Sequence, residues 1–377
     1  MIAELLPLIS RTPTRRPVVG ERKPIVPAVR PPRVSVAIAS YNYGRFLGDC
    51  LESVVSQQGV ELEVIVVDDA SSDETPLVTA AFAAADPRVR VIRHQANRGH
   101  LATFNEGLKE ARGEYVLKLD ADDMLAPGAL ARAATVMDRH PGVGLVYGRP
   151  LHFEGTPPAP PAARNGAGDC LVFNGRDWLA ERCRTGYNCI SNPEALVRRS
   201  LLDEIGFYDD RLDHTFDFEM WMRLAAVSDV ARVQGAVQGL YRVHPDSFQR
   251  TIHAGVLIDL NGRRDAFDAV FAGVGGRLPE AEELRDQARR RIARQALDQA
   301  CRAYDRGRVE TEPVEDMVAI AFDAWPQARA LPEWQALERR RRVGAARSPW
   351  TPTFVAHAFM RRVREERIKA RWRYHGL

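Results

Sequence analysis

The sequence is poor in what would place it in a membrane, a disulfide framework or a dinucleotide enzyme. Only five of its 377 residues are cysteine. Cys50, Cys170, Cys183, Cys189 and Cys301 form an odd, scattered set, and the spacing of Cys183 and Cys189 matches none of the usual zinc motifs. They read as buried or idle thiols of a reducing compartment. No stretch approaches the roughly 18 consecutive apolar residues of a membrane span. The opening run Met1-Ile-Ala-Glu-Leu-Leu-Pro-Leu8 lacks the basic leader and long apolar core of a secretory signal. Export by the general route is therefore not expected; a cytoplasmic location, at most peripheral to the inner face of the plasma membrane, is. No Gly-x-Gly-x-x-Gly follows the first apolar strand, which argues against a dehydrogenase. Gly273-Val-Gly-Gly276 follows a helical pattern and reads as a terminator. No internal repeat is visible.

What is present is ordinary in bulk and uneven in detail. A hydrophobic fraction of 45% and a charged fraction of 27% are those of a globular protein, and the length predicts two or three domains. Net charge is only +3, yet residues 1–32 are basic, and residues 339–377 hold twelve Arg and Lys against two Glu. The middle is correspondingly acidic, which argues against a nucleic-acid partner for the folded part.

Residues 1–32, rich in Pro and Arg over 11–32 and without apolar periodicity, read as a disordered leader. Order is expected from Val34 to about residue 250. Short apolar runs at 34–39, 63–67, 89–93, 114–117 and 144–148 read as strands. Helical spacing follows each of the first four, the second helix preceded by a Ser71/Glu74 capping-box pattern and the fourth by Pro127. Such alternation predicts right-handed βαβ units and a mostly parallel sheet. Ligands then bind outside the carboxyl ends of the strands, where Tyr41, Asp69 and Asp120–Asp123 all fall. Beyond residue 150 come a Pro/Gly/Ala-rich surface insertion (154–168), helical patterns at 175–184, 194–204 and 217–225, and two short strands at 231–234 and 239–243. Residues 251–377 read as a helical, basic region.

The chemistry concentrates at Lys118-Leu119-Asp120-Ala121-Asp122-Asp123-Met124. Carboxylates this close repel and raise one another's pKa unless a cation sits among them. Hard divalent cations prefer such oxygens and keep waters and substrate phosphates as their other ligands. In an extended chain Asp120 and Asp122 point to the same side. The competing reading is a polar turn between strand and helix.

Six segments in order resemble the family-2 glycosyltransferases of the GT-A fold: Val36-Ala-Ile-Ala-Ser-Tyr-Asn42, Val66-Val-Asp-Asp-Ala-Ser-Ser-Asp73, Asn97-Arg-Gly99 with Asn105, Leu119-Asp-Ala-Asp-Asp123, Asp217-Phe-Glu-Met-Trp-Met-Arg223 and Tyr241-Arg-Val-His244. The resemblance spans about residues 34–250. It implies a Rossmann-like GT-A domain with a helical C-terminal extension. It also implies inverting transfer of a sugar from a nucleotide-diphosphate donor, UDP-sugars favoured, to an acceptor hydroxyl in surface-polysaccharide or glycolipid synthesis. By position, Tyr41 stacks on the base, Asp69 accepts its imide N–H, Arg98 approaches the phosphates and Asp120 bonds the ribose. Asp122 ligates Mn²⁺ or Mg²⁺, with His244 a further metal or phosphate ligand or else a surface turn residue.

Two acids compete for the general base. Asp217 and Glu219 do not share a helix face. Glu219 stands four before Arg223, a favourable ion-pair order on an exposed face, whereas Asp217 shares the inward side of Trp221 and Leu224. Asp217 is therefore the expected base. A helix N-terminus lowers a carboxylate pKa while an effective base wants it raised, so burial by Phe216 and Phe218 has to compensate. Many relatives carry Glu-Asp where this chain has Phe216-Asp217, which puts acceptor contacts of that missing acid in doubt. Two other classes are weighed. A sugar nucleotidyltransferase needs a Gly-rich, basic phosphate loop where this chain has Ser40-Tyr-Asn-Tyr-Gly-Arg45. A non-enzymatic sugar-binding scaffold would not need Asp122 and Asp217 together. The basic stretches Arg339–Arg342 and Arg361–Arg373, interspersed with Trp350, Phe354, Phe359 and Trp372, read either as a solvated helical surface or as a contact for anionic lipid. The second reading would suit a lipid-linked acceptor; a glycan acceptor is the other expectation.

Overall fold

The computed structural model describes residues 18–26, 30–159, 168–212, 214–245 and 255–376. Strands β2 (Arg33–Ser40) and β3 (Glu61–Asp68) are apolar on both faces, the pattern of a sheet covered from both sides. Successive side chains alternate. Val34, Val36, Ile38, Val64 and Val66 turn to one face, onto Leu47, Leu51 and Val54 of α1 (Gly44–Val55). Ala37, Ile65 and Val67 turn to the other, with Leu108 of α3 (His100–Glu110). Helices α2 (Thr75–Ala85) and α4 (Ala129–Arg139) complete the first layer.

The other strands are β1 (Glu21–Pro24), β4 (Val89–Arg93), β5 (Tyr115–Asp120), β6 (Met124–Leu125), β7 (Val143–Phe153), β8 (Asp169–Phe173), β9 (Leu196–Arg198) and β10 (Asp229–Arg242). They order as β1-β8-β10-β7-β9-β5-β2-β3-β4, with β6 on β10. β5-β2-β3-β4 run parallel, as do β7 and β10, and β9 is inserted antiparallel between β5 and β7. The second layer holds α5 (Gly175–Thr185) and α7 (Phe216–Val227), while α6 (Arg199–Ile205) follows β9 directly.

Five further helices follow: α8 (Val256–Ala272), α9 (Ala281–Asp305), α10 (Val314–Ala324), α11 (Pro332–Val343) and α12 (Pro352–His375). Residues of α8–α11 share one apolar cluster with α5 and α7. Phe218 of α7 meets Phe267 of α8 edge to face, centroids 5.3 Å apart, a geometry that contributes about 1 kcal/mol beyond the area buried.

Several expectations need correction. The leader is not disordered throughout: Glu21–Pro24 pairs antiparallel with Asp169–Phe173, an edge contact that local pattern cannot reveal. Residues 1–17 and 27–29 of the leader, and 160–167 of the surface insertion, lie outside the described residues. The helix expected over 194–204 opens as a short 3₁₀ turn and strand β9, and turns helical only at Arg199; the sheet slot between β5 and β7 outweighs helical propensity. The two late strands are one, β10, with register shifts between Arg232 and Gly239. Helix α2 starts at Thr75 without the Ser71/Glu74 box; Asp73 accepts the Thr75 N–H (3.0 Å) instead.

Candidate active site

A cavity of about 340 Å³ opens at the carboxyl ends of β2, β3 and β5, closed on its far side by the start of α7. Its first wall is the pair of loops after β2 and β3. Asn42 has a left-handed backbone (φ 58°), which Asn tolerates better than most residues. Its side chain accepts the Ser72 N–H (2.8 Å), and its own N–H donates to Ser71 Oγ (2.9 Å). Gly44 lies against the Glu74–Thr75 backbone, where a Cβ would not fit. Between these ties Tyr41 stands in the cavity, 48% exposed.

Asp68 is buried and accepts the Ser71 N–H (2.9 Å), so it braces the turn. Asp69 lines the cavity, and three donors converge on it: His94 (2.6 Å) and the backbone N–H groups of Arg98 (2.8 Å) and Gly99 (2.9 Å). Burial pushes this carboxyl up, but those hydrogen bonds outweigh it and hold it below its ordinary value. The Arg98 guanidinium pairs with Glu106 (2.6 Å) and is not among the cavity-lining groups.

At the end of β5 the expected acids separate into different roles. Asp120 is gripped by Lys118 Nζ, 3.0 Å from both oxygens, and bonded by His100 (3.4 Å) and Asn192 Nδ2 (3.3 Å). Burial raises its pKa, yet Lys118 and His100 outweigh burial and hold it well below the usual carboxylate range. Asp122 Oδ2 lies 2.9 Å from His244 Nε2, so the structure brings together the two residues expected at a metal. Asp123 points inward. One oxygen accepts the Arg242 N–H (2.9 Å), the other is buried without a hydrogen-bond partner, and burial followed by Asp122 and Asp120 pushes its pKa far up.

The donor set fits a divalent cation. A carboxylate and an imidazole face each other at the mouth of an acidic strand end. Among the described residues no three His, Cys, Asp or Glu converge on one point. These two residues would supply part of a cation's shell and leave the rest to phosphate and water, as is usual for a divalent cation beside a nucleotide.

Asp217 is the second residue of α7. Its Oδ1 accepts the Phe218 N–H (2.7 Å) and its Oδ2 the Asn188 amide (3.2 Å). Burial pushes it up to about 6, against the opposing pull of Lys118 and the Phe218 N–H. The compensation required of burial is therefore present. Glu219 is not on an exposed face. It is 2% exposed and forms an ion pair with buried Arg223 (2.6 Å), whose Nη atoms also hold the carbonyls of Ile205, Gly206 and Phe207. The i, i+4 spacing is real, but α7 has no exposed side here because α6 and its loop cover it.

Sequence reasoning missed Lys118, His100, Asn192 and Arg242. Lys118 carried a signal, a cation two residues before Asp120 in an otherwise apolar strand. Asn192 did not, since it reaches Asp120 across 72 positions. Arg242 bonds the Asp122 carbonyl (2.9 Å) and Asp49 (2.9 Å), with the rings of Phe46 and Phe153 at 4.8 and 4.7 Å. It fixes the acidic turn from behind.

Comparison with known proteins places this geometry. Residues 35–206 match the family model described as glycosyl transferase family 2. The succinoglycan biosynthesis protein ExoO of Rhizobium meliloti is 43% identical over 101 residues, 27% of this chain and 28% of the relative. Chondroitin synthase of Escherichia coli is 29% identical over 203 residues, 52% of this chain and 27% of the relative. The chain thus spans little more than a quarter of the length of these curated relatives. Among solved structures, S. aureus TarS residues 1–349 in complex with UDP superposes with a TM-score of 0.55 at 18% identity, covering 84% of this chain and 89% of that one. The mannosyltransferase PcManGT of Pyrobaculum calidifontis, in complex with GDP-Man and Mn²⁺, gives 0.53 at 20% identity, with 89% and 91% covered. At such identities the likeness is one of fold, and the fold is GT-A.

Proposed function

From the match of residues 35–206 to the family-2 glycosyltransferase model, we propose that the cleft transfers a sugar from a nucleotide-diphosphate donor to an acceptor hydroxyl with inversion. The observation that carries this reading is one cavity holding a carboxylate pushed up to about 6, Asp217, opposite the carboxylates of Asp120 and Asp122.

In this reading Tyr41 stacks on the base and Asp69 accepts its N–H. Asp120, kept ionised by Lys118, bonds the ribose, and Arg98 shapes the phosphate side through its backbone bond to Asp69. Asp122 and His244 would hold Mn²⁺ or Mg²⁺, which when bound would supply Lewis-acid stabilisation of charge on the departing diphosphate. Asp217 takes the proton of the acceptor hydroxyl as its oxygen bonds the anomeric carbon and the bond to the diphosphate breaks. Asn188 and the Phe218 N–H hold the carboxylate with one face toward the cavity. A UDP-sugar suits Asp69, and the TarS complex with UDP-GlcNAc supports that class, whereas the GDP-Man complex of PcManGT keeps guanine donors in view. Relatives named for succinoglycan and chondroitin synthesis support a polysaccharide or glycolipid product.

Calorimetry with UDP tests the site. Mn²⁺ should tighten binding at least tenfold in the native chain, and Asp122→Ala should abolish that difference; an unchanged metal effect would overturn the ligand assignment.

Among the described residues no helix is long and apolar enough to cross a membrane. Contact with anionic lipid is proposed through α12, where Val355, Phe359 and Met360 are exposed, with Trp350 just before it. Fewer arginines are available than the sequence promised, because Arg340 and Arg361 pair with Asp305 and Arg341 with Glu315. Flotation with phosphatidylglycerol vesicles should recover the native chain and lose it on Phe359→Glu/Met360→Glu; equal flotation rejects the contact.

A further inference from the structure

Helix α5 ends at Thr185, and Gly186 continues with φ +71°. The last carbonyls of a helix have no partner inside it and carry partial negative charge. Here the Gly186 N–H meets Arg182 O (2.7 Å), and side chains meet the carbonyls of Thr185 and Gly186. Thr185 O accepts from Arg291 Nε (2.9 Å) and Gln295 Nε2 (3.4 Å), and Gly186 O from Arg263 Nη1 (2.6 Å). Further along, Tyr187 O accepts from Arg182 Nη1 (3.2 Å) and Cys189 O from Trp372 Nε1 (2.7 Å). Arg182 belongs to α5 itself. Arg263, Arg291, Gln295 and Trp372 belong to α8, α9 and α12, outside the family match.

The gripped backbone carries the contacts to both active carboxylates. Asn188 Oδ1 accepts the Ile190 N–H (3.1 Å), which orients its amide so that Nδ2 faces Asp217 Oδ2 at 3.2 Å. Ser191 and Glu194 cap the next turn (2.7 Å), and Asn192 reaches Asp120. The grip is itself braced. Arg263 is 6% exposed and is held by Gln295 Oε1 (2.7 Å) and Asp259 Oδ1 (3.0 Å). The end of α12 is pinned by Tyr147, whose hydroxyl donates to Gly376 O (2.6 Å).

We propose that the C-terminal helices clamp the loop 185–192 by its carbonyls and so aim Asn188 at Asp217, with Arg263, Arg291 and Trp372 as positioning residues for the sugar-transfer site. The clamp rests on the reading of Asp217 as base. Its action is geometric: a carboxylate displaced by about 1 Å from its productive place loses up to 10²-fold in rate, while on the nucleotide side the loop supplies only the Asn192 bond to Asp120, which Lys118 and His100 also hold.

The test uses the full chain with Trp372→Phe, which keeps the ring and removes the donor, Arg291→Gln, and the two combined. Amide exchange at Ile190 and Ser191 should accelerate about fivefold in the double variant, with β2 and β5 unchanged. Mn²⁺–UDP affinity should stay within about twofold while turnover of the UDP-sugar falls about tenfold, to the level of Asn188→Ala. Adding Asn188→Ala to the double variant should then cost nothing more. Unchanged loop exchange overturns the clamp, as does acceleration that spreads to β2 and β5. Asp217→Asn separates the two readings: full turnover there removes the base, while the exchange result still judges the clamp.

Discussion

On the β5 side of the cleft, Asp120 meets the Lys118 ammonium, His100 and Asn192. On the α7 side, Asp217 meets an amide and one backbone N–H. Both carboxyls are half-buried, and that desolvation alone would raise both. The cation decides the difference. Asp120 stays ionised and suits a fixed hydrogen-bond acceptor, whereas Asp217 sits near the pH at which a base both accepts and releases a proton. Two like groups in one cavity with their pKa values driven apart is how a site divides binding from proton transfer.

The comparison breaks most visibly at Asp217. Asp217→Asn should lower turnover by about 10²–10⁴-fold, the range of a general base, with Mn²⁺–UDP affinity within about twofold by calorimetry. Next in size is Lys118→Met, which strands Asp120 without its cation. Removing one partner of a buried pair costs about 3 kcal/mol, read as a fall in the urea midpoint, and donor affinity should drop with it.

The pH profile sharpens the contrast. With Asp217 as the proposed base its ionised form is the active one, so the rate should be level above about pH 7 and fall tenfold per unit below about 6. Stability runs the other way. A carboxyl raised in the folded state binds protons that the unfolded chain has released, so its contribution declines as pH rises from about 4 to 6. Asp217→Asn should remove that slope from a thermal-midpoint series. Smallest is Arg98→Ala: with the guanidinium engaged by Glu106 and only the backbone on Asp69, UDP affinity should change less than about threefold.

How much could be read without the fold differs along the chain. From β2 to α4 each long strand is an apolar run followed by a turn and a helix, so local pattern and tertiary position agree. Tyr41, Asp69, Asp120 and Asp122 were legible there because parallel topology sends every strand end to one edge. Between 168 and 245 the same reasoning failed at β8 and β9. Short strands in open slots of a mixed sheet are chosen by their neighbours, not by their own residues. Glu219 failed likewise: its i, i+4 partner was correct, and its surroundings were not deducible. His244 reaches Asp122 across 122 positions and could be paired with it only through the family pattern.

By itself the sequence determined the repeating strand–helix half, the strand ends at which polar chemistry collects, and the identity of the acids placed there, because these follow from periodicity and side-chain type. Only the tertiary structure decided which acid stays charged and which is poised. That depends on Lys118, Asn188 and Asn192 arriving from distant segments, and on helices beyond residue 255 that close the loop around them. Electrostatic free energy is set by distance and burial, and neither is a property of residues read in order.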